Sequence, residues 1–215
     1  MSKLRVTIID YGLGNLLSLQ RAFEFIGVNA IITREHKLIL GSTHVILPGV
    51  GAFPVAMDSI IKFKLKESLL KVANSGIPLL GICLGMQLLL TESEEFEHTR
   101  GLNLIPGKVK RINDSKNKSK KIKIPHIGWN TLIPNNINNN FELKLLEKTA
   151  KEDSYYFVHS FTSIPDKKEH RIYETLYEDI NLSAIIKKKN ILGFQFHPEK
   201  SGRSGLQVLR NFLQI

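Results

Sequence analysis

Short apolar runs and amphipathic stretches take turns along the first half of the chain. Residues 4–9 read as a strand. Leu16, Leu19, Phe23 and Ile26 then recur at the spacing of one helical face, up to Gly27. Residues 28–33 and 44–47 read as further strands, residues 54–74 as mostly helix stopped at Ser75-Gly76, and residues 77–80 as one more buried strand. Such alternation predicts an α/β fold: a doubly wound, mostly parallel sheet flanked by helices, with ligands at the carboxyl ends of its strands. The second half adds strands over residues 109–112, 155–159, 182–186 and 191–196, then a closing helix over 205–213. No internal repeat is visible, and one domain spanning residues 1–215 is expected.

Residues 113–123, dense in Lys, Ser and Asn, and residues 135–140, nearly all Asn, read as solvated loops. With 30 Lys and Arg against 20 Asp and Glu, the formal charge is +10, which raises the hypothesis of a nucleic-acid-binding domain. The lysine clusters at 118–123 and 187–189 lie on expected loops, lack interleaved aromatics for base stacking and match no binding motif, so no nucleic-acid partner is expected. A single cysteine excludes an internal disulfide framework and agrees with a reducing compartment. The apolar run at residues 6–9 is too short for a signal peptide, and nothing approaches the ~20 apolar residues of a membrane span. A cytoplasmic protein without a membrane partner is expected.

Gly81-Ile82-Cys83-Leu84-Gly85 puts that cysteine where the strand at 77–80 turns into a helix beginning at Leu84. The pattern is a nucleophile elbow with sulfur in place of serine oxygen. Flanking glycines relieve crowding in a tight turn, and a helix N-terminus offers free N–H groups and its positive dipole end, a setting that favours thiolate. Alone, Cys83 reads more readily as a small buried hydrophobe. Far downstream, the strand at 191–196 runs into His197-Pro198-Glu199. Residues two apart in an extended chain project to one side. A carboxylate at Glu199 would therefore set the tautomer of His197 and leave its other nitrogen free to take a proton from sulfur. Without the elbow, this tripeptide reads as a surface turn. A third segment, Pro48-Gly49-Val50-Gly51-Ala52-Phe53, follows a strand with a glycine loop whose N–H groups suit an oxyanion; it fits neither phosphate-cradling glycine pattern.

Together these three segments resemble the class I, triad-type glutamine amidotransferases, which have a flavodoxin-like α/β fold. Asp10-Tyr11-Gly12-Leu13-Gly14-Asn15, Pro125-His126-Ile127-Gly128-Trp129-Asn130 and Tyr156-Phe157-Val158-His159-Ser160 narrow the resemblance to the glutaminase subunits of imidazole glycerol phosphate synthase, over nearly the whole chain. The resemblance implies that Cys83 attacks the side-chain amide of L-glutamine, with His197 as acid and base, Glu199 as its orienter and a γ-glutamyl thioester as intermediate. It implies the amides of Val50 and Leu84 as oxyanion donors, and Gly49, Gly51, Gln87, His159 and Ser160 around the substrate, although His159 could equally be structural. No cofactor and no metal are implied. The implied partner is a (β/α)8-barrel cyclase of the HisF type, which uses the ammonia to turn PRFAR into imidazole glycerol phosphate and AICAR for histidine biosynthesis. Pro125, His126, Trp129, Tyr156 and Lys200 match positions that face it, against the alternatives of a core aromatic for Trp129 and a solvated charge for Lys200.

Three departures stand out. Val50 occupies a place where many relatives are richer in glycine, so the Gly49–Val50 peptide is expected to rotate before its N–H can meet an oxyanion. Tyr177-Glu178 stands where a hairpin turn calls for glycine, and Phe161 where relatives often have Tyr. A rival on the same fold is a paralogue that feeds ammonia to a sugar-modifying enzyme of surface-polysaccharide synthesis; a stand-alone thiol hydrolase leaves the Trp129 and Tyr156 segments without a purpose.

Overall fold

Strand β1 (Val6–Ile9), helix α1 (Leu16–Phe25) and strand β2 (Ala30–Thr33) begin a computed structural model that describes residues 4–112, 122–135 and 144–215. Helix α2 (His36–Leu40), strand β3 (His44–Leu47), helices α3 (Phe53–Lys62) and α4 (Leu65–Asn74), strand β4 (Leu79–Ile82) and helix α5 (Leu84–Leu88) complete the first half. The expected helix over 54–74 is two helices, because Lys64 takes φ 57° and breaks the run.

Among the described residues, the second half holds β5 (Glu92–Ser93), β6 (Thr99–Arg100), β7 (Gly107–Arg111), β8 (His126–Thr131), β9 (Ile133–Pro134), β10 (Ser154–His159) and β11 (Phe161–Pro165). Then come β12 (Arg171–Tyr177), β13 (Ile180–Lys188), β14 (Ile191–Phe194) and helix α6 (Gly202–Phe212). Of the two expected polar loops, residues 113–121 and 136–140 lie outside the described residues.

Among the described residues, eight strands form the main sheet in the order β2-β1-β3-β4-β14-β13-β12-β9, parallel from β2 to β14 and antiparallel beyond. The doubly wound α/β expectation holds. Side chains alternate across it: Ile46, Leu80, Ile82, Leu192 and Phe194 enter the core shared with α1 and α6, whereas Val45, Leu47, Leu79 and Ile191 enter the one beneath α3 and α4. Two smaller sheets, β8-β10 and β11-β7-β5-β6, stand beside it. The turn between β12 and β13 places Glu178 at φ 52°, so a non-glycine residue does occupy the left-handed position expected there.

Candidate active site

The elements that meet at the site do so because β4 and β14 are parallel neighbours, with Ile82 opposite Phe194. Neighbouring strands lie roughly 4.8 Å apart, so whatever follows each strand emerges beside the other. Cys83 follows β4 directly and donates its amide N–H to the Phe194 carbonyl at 2.7 Å; His197 comes three residues after β14. Cys83 itself adopts φ 55° and ψ −110°, a conformation rare outside glycine and typical of a nucleophile elbow.

The flanking glycines serve close packing rather than the turn. A Cβ on Gly85 would lie 1.8 Å from the Leu47 carbonyl oxygen, and one on Gly81 2.5 Å from the Gly85 carbonyl oxygen. Gly193 makes room for Met86 in the same way. Helix α5 thus sits directly on the strand ends. It has only five residues, so its macrodipole is small.

His197 precedes a 3-10 turn, Pro198–Lys200, in place of the extended chain expected after the strand. The turn still brings Glu199 Oε1 within 2.8 Å of His197 Nδ1, with both side chains nearly fully buried. That contact fixes Nδ1–H and turns Nε2 inward. Nε2 is buried without a hydrogen-bond partner, and His197 lines the same cavity as Cys83. Burial alone would lower the imidazole's pKa; the Cys83 sulfur, and then the Glu199 carboxylate, outweigh it and hold the ring well above its ordinary range. A raised imidazole backed by a carboxylate, beside the sulfur, is the result.

Cys83 and His197 line one cavity of about 420 Å³, together with Val50, Gly51, Leu84, Gln87, His159 and Ser160. Gly49 lies behind it, so tightly held that a Cβ would be 2.5 Å from the Tyr11 hydroxyl and 2.9 Å from the Gly85 nitrogen. The left-handed residue of the loop is Gly51, at φ 103°. Among the described residues no cluster of His, Cys, Asp and Glu could hold a metal ion, and no helix is long and apolar enough to cross a membrane.

A family model, glutamine amidotransferase class-I, matches residues 7–215. The chain belongs to the class I glutamine amidotransferases. Imidazole glycerol phosphate synthase subunit HisH 1 of Legionella pneumophila (strain Paris) is 41% identical over 98% of this chain and 99% of its own. The HisH subunit of Chlorobium chlorochromatii (strain CaD3) is 43% identical over 98% of this chain and 100% of its own. A structure of PurLQS from Thermotoga maritima superposes with a TM-score of 0.70 at 21% identity, covering 99% of this chain and 98% of that one, a likeness of fold.

In this amidotransferase the cavity also has walls that sequence reading did not supply: Glu95, Val158 and Phe161. Glu95 accepts the Phe53 amide N–H at 2.7 Å, and burial pushes its carboxyl up against the effect of that bond. A carboxylate at the rim is the chemistry that receives an α-ammonium group. Tyr11, named only as part of a motif, donates its hydroxyl to the Pro48 carbonyl at 2.7 Å and so ties down the loop beside the nucleophile.

His159 is structural as well as lining. Its Nδ1–H donates to the Phe161 carbonyl at 2.7 Å, its Nε2 lies 3.1 Å from His126 Nδ1, and burial holds its pKa down to about 3. His126 corrects an expectation: it has no exposed surface, being stacked between Phe157 and Tyr177, so its ring does not face a partner. The other expected contact residues do reach the surface. Trp129 is 55% exposed and stands opposite Tyr156 in the β8–β10 ladder, with Lys200 Nζ 5.8 Å from the Tyr156 ring centre. Pro125 is half-buried and lines the cavity. The main chain of Tyr156 is held on both sides, its N–H by the Ser201 hydroxyl and its carbonyl by the His197 amide.

Proposed function

We propose that the chain is the glutaminase subunit, HisH, of imidazole glycerol phosphate synthase, acting as one amidotransferase domain in the cytoplasm. The observation that carries the chemistry is the meeting of Cys83 and His197 over one cavity, with Glu199 behind the ring. Cys83 sulfur adds to the γ-carboxamide carbon of glutamine, the oxyanion is met by the Leu84 and Val50 amides, and His197 gives its proton to nitrogen as the C–N bond breaks. Ammonia leaves. Water, deprotonated by His197, then adds to the thioester, the C–S bond breaks and glutamate departs. Gln87 and Ser160 line the space for substrate, and Glu95 takes the α-ammonium group.

Free ammonia in neutral water is mostly protonated, so it has to pass under cover to its acceptor. The relatives' designation as synthase subunits supports a partner, and the Trp129, Tyr156 and Lys200 cluster beside the His197 loop is where a HisF-type barrel cyclase would dock. Rotation of the Gly49–Val50 peptide completes the oxyanion hole when that partner is loaded.

The test is to mix the chain with its HisF-type partner and PRFAR and follow glutamate release. Release is expected to rise steeply on assembly, and Cys83→Ala to lower glutamine-dependent synthesis at least about a thousandfold while synthesis from added ammonium persists. Equal glutaminase rates for the isolated chain and the loaded complex would refute the gating. Loss of the ammonium-dependent reaction in the variant would make Cys83 structural.

A further inference from the structure

A buried chain of amide hydrogen bonds ends on the nucleophile. The Phe161 carbonyl, fixed in β11, accepts Gln87 Nε2–H at 3.1 Å, so Gln87 must present its NH2 group there. The same nitrogen lies 3.2 Å from Gln195 Oε1. With Oε1 committed as acceptor, the other end of the Gln195 carboxamide is a donor, and it lies 3.8 Å from Cys83 sulfur, within reach of an N–H···S bond. Reversing either amide would set two NH2 groups against each other or two oxygens together, so the direction is forced. Gln195 has no solvent exposure, and no water competes for its N–H.

We propose that Gln195 is a catalytic residue whose Nε2–H bonds the Cys83 sulfur, and that Gln87 is its positioning residue. This rests on the reading of Cys83 as the nucleophile. A donor aimed at sulfur favours the state with charge on sulfur, before attack and again when the C–S bond of the thioester breaks and its electron pair returns. It also holds the side chain in the rotamer that meets His197. Gln87 thereby has a task besides lining the pocket: both of its N–H bonds are used within the protein, and only its Oε1 remains for a substrate.

Alkylation of Cys83 by iodoacetamide in the full chain, followed by mass spectrometry across pH, reads thiolate directly and needs no glutamine. Gln195→Met keeps the shape and removes the donor; it is expected to slow alkylation at neutral pH about tenfold and to move the profile to higher pH, the size of one lost bond to a charged acceptor. Gln195→Glu should move it further, because a carboxylate would face the sulfur. Gln87→Met should shift it the same way, and the double Met variant no further than Gln195→Met alone. A profile unchanged in Gln195→Met, with unfolding still cooperative, overturns the proposal; should that variant not fold, an unchanged profile in Gln87→Met overturns it. Failure of the glutaminase reading has another signature, glutamate release surviving in Cys83→Ser.

Discussion

His197 and Glu199 act as a unit only because a tight turn folds the second back onto the first. The base shares a cavity with the sulfur and bonds the carboxylate, the carboxylate acts through the base, and the costs of losing them should differ accordingly. His197→Asn is expected to lower glutaminase kcat/KM in the assembled enzyme about tenfold to a hundredfold more than Glu199→Gln; equal and small effects would deny both roles. These side chains were legible in the sequence because each sits in a short motif whose residue types already state their chemistry. Gln195, Glu95 and Tyr11 were not. Each makes a contact to a residue distant in sequence, Cys83, Phe53 and Pro48 respectively, and no local spacing records such a partner. His126 was misplaced for a related reason: whether a ring in a strand faces core or solvent depends on register, and β8 turns it inward onto Phe157.

At the scale of elements, the elbow is a problem of volume. Three glycines, Gly81, Gly85 and Gly193, let α5 lie on the ends of β3, β4 and β14, and only the first two were prominent in the sequence pattern. Gly85→Ala is expected to destabilise the protein by about 3 kcal/mol or more, read from urea unfolding, because its Cβ would fall inside the Leu47 carbonyl. Gly27→Ala is the control. Its φ is +84° but nothing stands within 4 Å, so about 1 kcal/mol is expected. Similar losses for the two would show that α5 has room to move. The parallel strands of the first half were readable from their unbroken apolar runs, since both faces are covered. Strand β12 was missed because register shifts around Tyr173 interrupt its alternation, and β8 because Gly128 and Asn130 carry no strand signal.

For the whole molecule, buried histidines link stability to pH in two opposing directions. His159 stays neutral in the fold, its pKa lowered to about 3 mainly by burial, whereas in the unfolded chain it titrates near 6.5. Below that value the unfolded state takes up a proton that the folded state refuses, so stability falls by about 1.4 kcal/mol per pH unit. His44, His126 and His170, also lowered chiefly by burial, add to the same slope. His197 runs the other way: its pKa is raised, so its contribution is complete below 6.5 and is lost only as pH climbs through its folded value. Unfolding free energy should therefore drop by about 2 kcal/mol between pH 6.5 and 5 on account of His159, and His159→Gln should flatten that part. Identical slopes in the two proteins would contradict a neutral His159. Composition disclosed none of this, because the count of histidines says nothing of which ones the core encloses.

The bond from the Cys83 amide to the Phe194 carbonyl has a consequence in time. During synthesis β4 leaves the ribosome long before β14, and until that late strand docks nothing clamps Cys83 in its unusual backbone conformation or delivers His197 to its side. A nascent or truncated chain therefore carries an ordinary cysteine, and reactivity switches on only when the last strands close. The fold keeps its sharpest reagent sheathed until the polypeptide is nearly finished.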